Sequence, residues 1–239
     1  MEVEPLYLLQ VECPYCKNTF QSSRVRSRFK KPIHIDSDFC PHFGEDKVNP
    51  DFYVVRVCPE CGCASTENSL KQWLPTHRKD FEEVVASQWK SREYAGERTW
   101  EQALETYKLA LLTAQTIGES KRVVAGLLHH IAWLYRYRND TKNELRYLRF
   151  ALDSYISVFE HEWRDQNDAR LIYIIGELYR RLGELNEAAK CFGRIIHDKH
   201  IMDAAMIRAA REQWAAIREQ MAEEGNTPPV VSIGGGFTQ

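Results

Sequence analysis

Two short thiol pairs, Cys13-Pro14-Tyr15-Cys16 and Cys58-Pro59-Glu60-Cys61, constrain this chain more than any other feature. Brought together across residues 17–57, they supply the four soft ligands of a tetrahedral zinc site. The prolines suit tight knuckle turns, and Gly62, directly after the second pair, permits the close backbone path such a turn needs. A β-rich run leads into each pair, Leu6–Val11 into the first and Asp51–Val57 into the second. Two strands each ending at a CxxC give the layout of a zinc ribbon. A site of four thiolates is closed, so the Zn2+ expected here, one per chain, is structural. Cys40, His42 and Cys63 are rival ligands, because Cys40-Pro41-His42 falls between the knuckles. A second metal on those three residues is the alternative.

Beyond the cysteine module the character of the chain changes. Residues 1–75 hold six of the seven cysteines, whereas from Phe81 to Pro228 the chain is free of proline and its apolar residues recur with helical spacing. Helices are expected near 78–92, 99–116, 120–138, 142–163, 168–182, 185–197 and 201–224. Gly118, Asn139-Asp140, Asn167 and Gly183 serve as breaks or caps between them. Ile172, Ile175, Gly176, Tyr179, Gly183, Ala188 and Phe192 follow the spacing of a tetratricopeptide helix pair, and Leu128, Ile131, Ala132, Tyr135, Leu148 and Ala151 repeat it. A weaker copy is Ala103, Tyr107 and Ala110. Ala132 and Gly176 are the small residues that let paired helices approach, and the long period is absorbed by the helix reaching Trp163. The expected fold is therefore α+β in two parts. A small β zinc-ribbon domain over 1–75 precedes an all-α, antiparallel, tetratricopeptide-like array over 78–224, capped by its last helix. A flexible tail, 225–239, follows.

Composition narrows the functional classes. With 239 residues, 44% hydrophobic, 28% charged and a net charge of -2, the chain reads as a globular protein with no global pull toward nucleic acid or membrane. The N-terminal residues lack a basic start followed by a long apolar run, and CxxC grouping suits metal better than a disulfide framework. A cytoplasmic location is expected. No Ser/His/Asp order, phosphate-binding glycine loop or HExxH helix stands in the sequence, so a non-enzymatic role is favoured. Cys191 beside Phe192 reads as a small buried hydrophobe.

The repeat offsets place His129, Trp133, Arg136 and Tyr137 on the inner face of one leading helix. Arg170, Tyr173, Glu177, Arg180 and Arg181 occupy the same face of the next. Aromatics interleaved with arginines suit an acidic peptide or a C-terminal carboxylate, and an ordinary solvated helix face is the plainer alternative. Between the knuckles, Arg24, Arg26, Arg28 and Lys30 alternate with other residues. As a strand they would line one face for phosphate, making nucleic acid the competing partner; as a charged edge strand they would merely deter aggregation. The tetrad Cys13-Pro14-Tyr15-Cys16 also spells the active-site motif of glutaredoxins, which makes thiol-redox chemistry at Cys13 and Cys16 a third reading.

One resemblance spans the cysteine module. It rests on Cys13-Pro14-Tyr15-Cys16, then Asp36-Ser37-Asp38-Phe39-Cys40-Pro41-His42, then Asn49-Pro50 with Tyr53, and last Val57-Cys58-Pro59-Glu60-Cys61-Gly62-Cys63-Ala64. Over residues 8–70 this resembles an uncharacterised bacterial family, domain of unknown function 2225. The resemblance implies helical repeats after the module, while Cys63 departs from the pattern, standing where an aromatic residue is usual. The function these readings favour is a zinc-binding interaction scaffold whose helices capture a protein or peptide.

Overall fold

The structure, a computed structural model, describes residues 3–44, 47–161 and 168–223. Among the described residues three small antiparallel hairpins come first, followed by seven helices, as the expected fold class requires. β1 (Leu6–Glu12) pairs with β2 (Thr19–Val25) in a register running from Leu6↔Val25 to Glu12↔Thr19. β3 (His34–Ile35) pairs with β4 (Pro41–His42), and β5 (Arg56–Val57) with β6 (Ala64–Ser65). The helices are α1 (Pro75–Val84), α2 (Trp100–Thr116), α3 (Lys121–Arg136), α4 (Thr141–His161), α5 (Ala169–Arg181), α6 (Leu185–His197) and α7 (Ala204–Glu223).

Local chemistry sets these edges. Thr99 and Gln102 form a reciprocal capping box at α2, Ser120 caps α3, Asp140 caps Asn143 at the head of α4, and Asp168 caps α5. Helices α2, α3 and α5 are followed by a residue of positive φ at Gly118, Asn139 and Gly183. The tail 225–239, together with Trp163 and Asn167, lies outside the described residues.

Two elements differ from expectation. The run Asp51–Val57 keeps only two strand residues, because Pro50 opens a short 3-10 turn, Pro50–Tyr53, and the Asn49 side chain accepts the Asp51 N–H to cap it. The first helix stops at Val84 instead of running to residue 92. A second 3-10 turn, Ala86–Gln88, redirects the chain so that the Trp89 indole donates to the Pro59 carbonyl at 2.7 Å.

By contacts the chain divides into two compact units. One comprises Met1–Asp36 with Cys40–Tyr147, the other Ser37–Phe39 with Leu148–Gln239. The position near residue 76 where composition changes falls inside the first unit. The reason is a shared core: Cys13, Phe20, Cys58, Cys61, Cys63, Phe81, Val85 and Ile117 bury one another, so α1 and α2 complete what the hairpins begin. Within that unit α1 packs on α2 and α2 on α3, and the Trp100 indole donates to Leu134 O at 2.7 Å. In the second unit α5 packs on α6, and α7 packs on both.

Gly176 carries the close approach of α5 to α6 that its spacing predicts. A Cβ there would stand 2.8 Å from Cys191 Cβ and 3.0 Å from the Phe192 ring. Gly176→Ala should therefore lower stability by about 1–3 kcal/mol, the usual cost of overpacking. Gly126, in α3, faces open space. Gly126→Ala should be neutral or stabilise by up to about 1 kcal/mol through helix propensity. Urea unfolding of the two variants checks both; equal destabilisation would sink the packing account.

Candidate metal centre

Each CxxC sits at the tip of a hairpin, and the two tips share one backbone scheme. In the first, Lys17 N–H donates to Cys13 O at 3.1 Å and Cys13 N–H to Asn18 O at 2.9 Å. In the second, Gly62 N–H donates to Cys58 O and Cys58 N–H to Cys63 O, both at 2.9 Å. Lys17, with φ 64°, occupies the position that Gly62 fills with φ 73°. The lysine is tolerated because its side chain is exposed, whereas a Cβ at residue 62 would lie 2.4 Å from the Trp89 ring.

The sulfurs interlock across the two tips. Cys13 Sγ lies 3.6 Å from Cys61 Sγ, and Cys16 Sγ lies 3.6 Å from Cys58 Sγ, with all four within 4.8 Å of one another. A tetrahedron of thiolates about 2.3 Å from zinc has sulfurs about 3.8 Å apart, so the donor set fits the ion. The charge balance points the same way. Hydrogen bonds from Cys58, Cys61 and Cys63 hold Cys13 as a thiolate far below the ordinary thiol range. Its hydrogen bond and charge in turn push Cys58 up to about 11, and raise Cys61 and Cys63 further. A divalent cation between these sulfurs would favour their thiolate forms.

Surrounding groups fix the knuckles in place. Arg78 of α1 donates to Tyr15 O at 2.5 Å and to Pro14 O at 3.2 Å, while Trp89 holds the second knuckle through Pro59. Tyr15, Trp73 and Phe81 pack ring against ring beside the sulfurs, with centroids 4.8–5.9 Å apart. Cys63, one of the rivals, is buried in this wall. Cys40 and His42, the other two, lie with Asp36 in a different cluster.

Most of the residues expected to capture a partner are buried or engaged within the chain. His129 and Trp133 are buried in α3 with ring centroids 4.7 Å apart, and Tyr137 donates to Asp51 Oδ2 at 2.6 Å and to Pro41 O at 2.9 Å. Arg136 bridges Asp36 Oδ2 and Glu144 Oε1, each at 2.7 Å. In the second unit Tyr173 is buried, Arg170 is exposed, and Arg180 and Arg181 both bind the fully buried carboxylate of Glu177. Arg181 also reaches the buried Asp38 at 3.2 Å. The cations between the knuckles do not share a strand face. β2 ends at Val25; Arg24 pairs with Glu67 at 2.6 Å, Arg26 and Arg28 donate to the carbonyls of Glu4 and Val3, and Ser27–Phe29 turns as a 3-10 segment ahead of Lys30.

Arg98 escaped the sequence reading. It is buried and donates to Tyr94 O, Phe52 O and Val55 O at 2.8–3.0 Å. Burial draws its pKa down, yet three carbonyls make it a clamp on the 3-10 turn before the second knuckle. A cation satisfied by backbone oxygens leaves no partner pattern in a sequence.

The model of a family described as "Uncharacterized protein conserved in bacteria (DUF2225)" matches residues 6–217. Neither a curated protein nor a solved structure matches the chain. Among the described residues, no helix is long and apolar enough to cross a membrane.

The shared core decides what metal removal does. Stripping zinc with a strong chelator should unfold the hairpins together with α1 and α2, because Phe81, Val85 and Ile117 lose the same contacts. Circular dichroism should retain the helical signal of the second unit. Cys58→Ser should lose the tightly held zinc, measured by elemental analysis after brief exposure to EDTA; full retention would place the ion elsewhere.

Proposed function

The chain belongs to this bacterial family of uncharacterised proteins, and we propose that it is an interaction scaffold in which a structural zinc fixes the hairpins and the helices receive an acidic peptide. One observation carries the reading. The α5 face already receives a short acidic segment of the same chain, Ser37-Asp38-Phe39. The Asp38 carboxylate meets Arg181 at 3.2 Å, the Ser37 hydroxyl donates to Glu177 Oε1 at 2.6 Å and accepts from Arg180 at 3.3 Å, and the Phe39 ring lies 5.5 Å from that of Tyr173. Charge-assisted hydrogen bonds beside an aromatic contact are the chemistry of acidic-motif recognition. A tetratricopeptide-like arrangement of the helices belongs to the same reading, since such repeats present faces of this kind.

Nucleic acid is the weaker partner. Arg24 is paired with Glu67, and Arg26 and Arg28 turn back onto the carbonyls of Glu4 and Val3, so the three do not line one strand face. Thiol-redox use of Cys13 and Cys16 is also weaker, because the short sulfur contacts run between knuckles and not within one.

Two variants test the proposal. A labelled peptide of sequence Ile-Asp-Ser-Asp-Phe should bind an Asp38→Asn/Phe39→Ala chain better than wild type, since the internal segment then competes less. Adding Arg181→Ala should weaken that binding about tenfold or more, the scale of a charge-assisted hydrogen bond. Fluorescence anisotropy reads both; binding that ignores Arg181 but vanishes in Arg26→Glu would favour the phosphate reading. Arg180→Glu is a poor probe of capture, because it leaves the buried Glu177 facing a like charge. It should cost about 3 kcal/mol of stability, visible as a lowered urea midpoint.

A further inference from the structure

The β3–β4 hairpin carries neither CxxC pair. Its ladder sets His34 opposite His42 and Ile35 opposite Pro41, and the Asp36 N–H donates to Cys40 O at 2.8 Å across the tip. That fold-back collects three different donors. One ligand atom each from Asp36, Cys40 and His42 lies within 4.8 Å of the others. His42 Nε2 is 3.0 Å from Asp36 Oδ2, a gap bridged by a single proton that a cation can replace.

The surroundings are those of a supported coordination site. Cys40 is fully buried, and its thiol points to the Tyr137 hydroxyl at 3.6 Å, which is itself anchored on Asp51 at 2.6 Å. Arg136 holds Asp36 Oδ2 at 2.7 Å and is neutralised on its other side by Glu144, so a metal at this point would not confront an uncompensated guanidinium. His34 Nε2 steadies the other carboxylate oxygen at 3.1 Å. Outer partners of this sort orient ligands and tune their basicity. A cleft of about 800 Å³ opens beside the cluster, lined by His42, Lys47, Arg98, Arg136 and Tyr137.

We infer that Asp36, Cys40 and His42 bind a second divalent transition metal, zinc by donor type, with its fourth position turned toward this cationic cleft. One thiolate and one carboxylate balance the charge of a dication, and a sulfur, a nitrogen and an oxygen together form a borderline donor set. Three protein ligands mark an open site, where water or a small anion completes the tetrahedron. The knuckle zinc is closed and structural; this one is accessible. The assignment stands whether or not α5 receives a peptide.

The experiment uses the full chain with its four-thiolate site filled by one equivalent of Zn2+, then titrated with Co2+. A second equivalent should bind and produce the visible bands of four-coordinate cobalt with a thiolate charge-transfer band. Azide should shift those bands, since a closed site gives an anion no entry. His42→Ala and Asp36→Asn should each weaken cobalt binding at least tenfold, with unchanged circular dichroism and undisturbed knuckle zinc. Absence of a second set of bands in wild type would overturn the inference, as would bands that persist unaltered in both variants. Bands indifferent to saturating azide would remove the open position.

Discussion

Sulfur crowding is the constraint on which the N-terminal unit rests. Two hairpin tips bring four sulfurs to distances of 3.6 Å across the pairs, far closer than four thiolates tolerate alone. A dication relieves that repulsion, and its binding free energy, about 10–16 kcal/mol for structural zinc in small peptides, is folding free energy for hairpins with little core of their own. Everything that touches the sulfurs inherits the dependence. Phe81 and Val85 align α1 along the cluster, Ile117 brings in the end of α2, and Arg78 and Trp89 tie the two knuckle backbones to the chain that follows. The hairpins are thus less a separate module than a base, able to be pinned by a metal, for the helices beside them.

In the second unit a different interaction takes over. Glu177 is fully buried on α5, where Arg180 and Arg181 both reach its carboxylate, at 2.7 and 3.0 Å. Asp38, equally buried, shares Arg181. Burying two carboxylates is costly, and guanidinium groups with several directed donors are the side chains best able to offset it. Such a network fixes geometry more than it adds stability, because charges in a low-dielectric setting tolerate few alternative arrangements.

How much of this was legible in the sequence varies with the range of the interaction. The cysteine cluster was readable because metal coordination demands donors at short, fixed spacing, and the helix breaks because Gly118, Asn139 and Gly183 take the positive φ that ends a helix. Gly176 was readable because helix pairs need a small residue at a defined offset. The strand expected over Asp51–Val57 failed where Asn49 and Pro50 outweighed β-propensity. What covers α5 could not be seen at all: Ser37 and Glu177 are 140 positions apart, and no local pattern announces that an acidic turn will meet those arginines. Lys17 with its positive φ was equally silent, since only comparison with Gly62 in space reveals the shared turn.

The segment Ser37-Asp38-Phe39 also has a quantitative consequence. A ligand tethered through its own backbone competes as though present at high local concentration, of millimolar order for short connections. Any free peptide must exceed that standing competition before it occupies the α5 face. If α5 receives an acidic peptide as proposed, weak acidic sequences would be screened out, and only partners whose affinity or concentration clears that threshold would occupy it. On that proposal the buried Asp38 and the half-exposed Phe39 would set its height, so changes at those two positions would retune selectivity without touching Arg180 or Arg181.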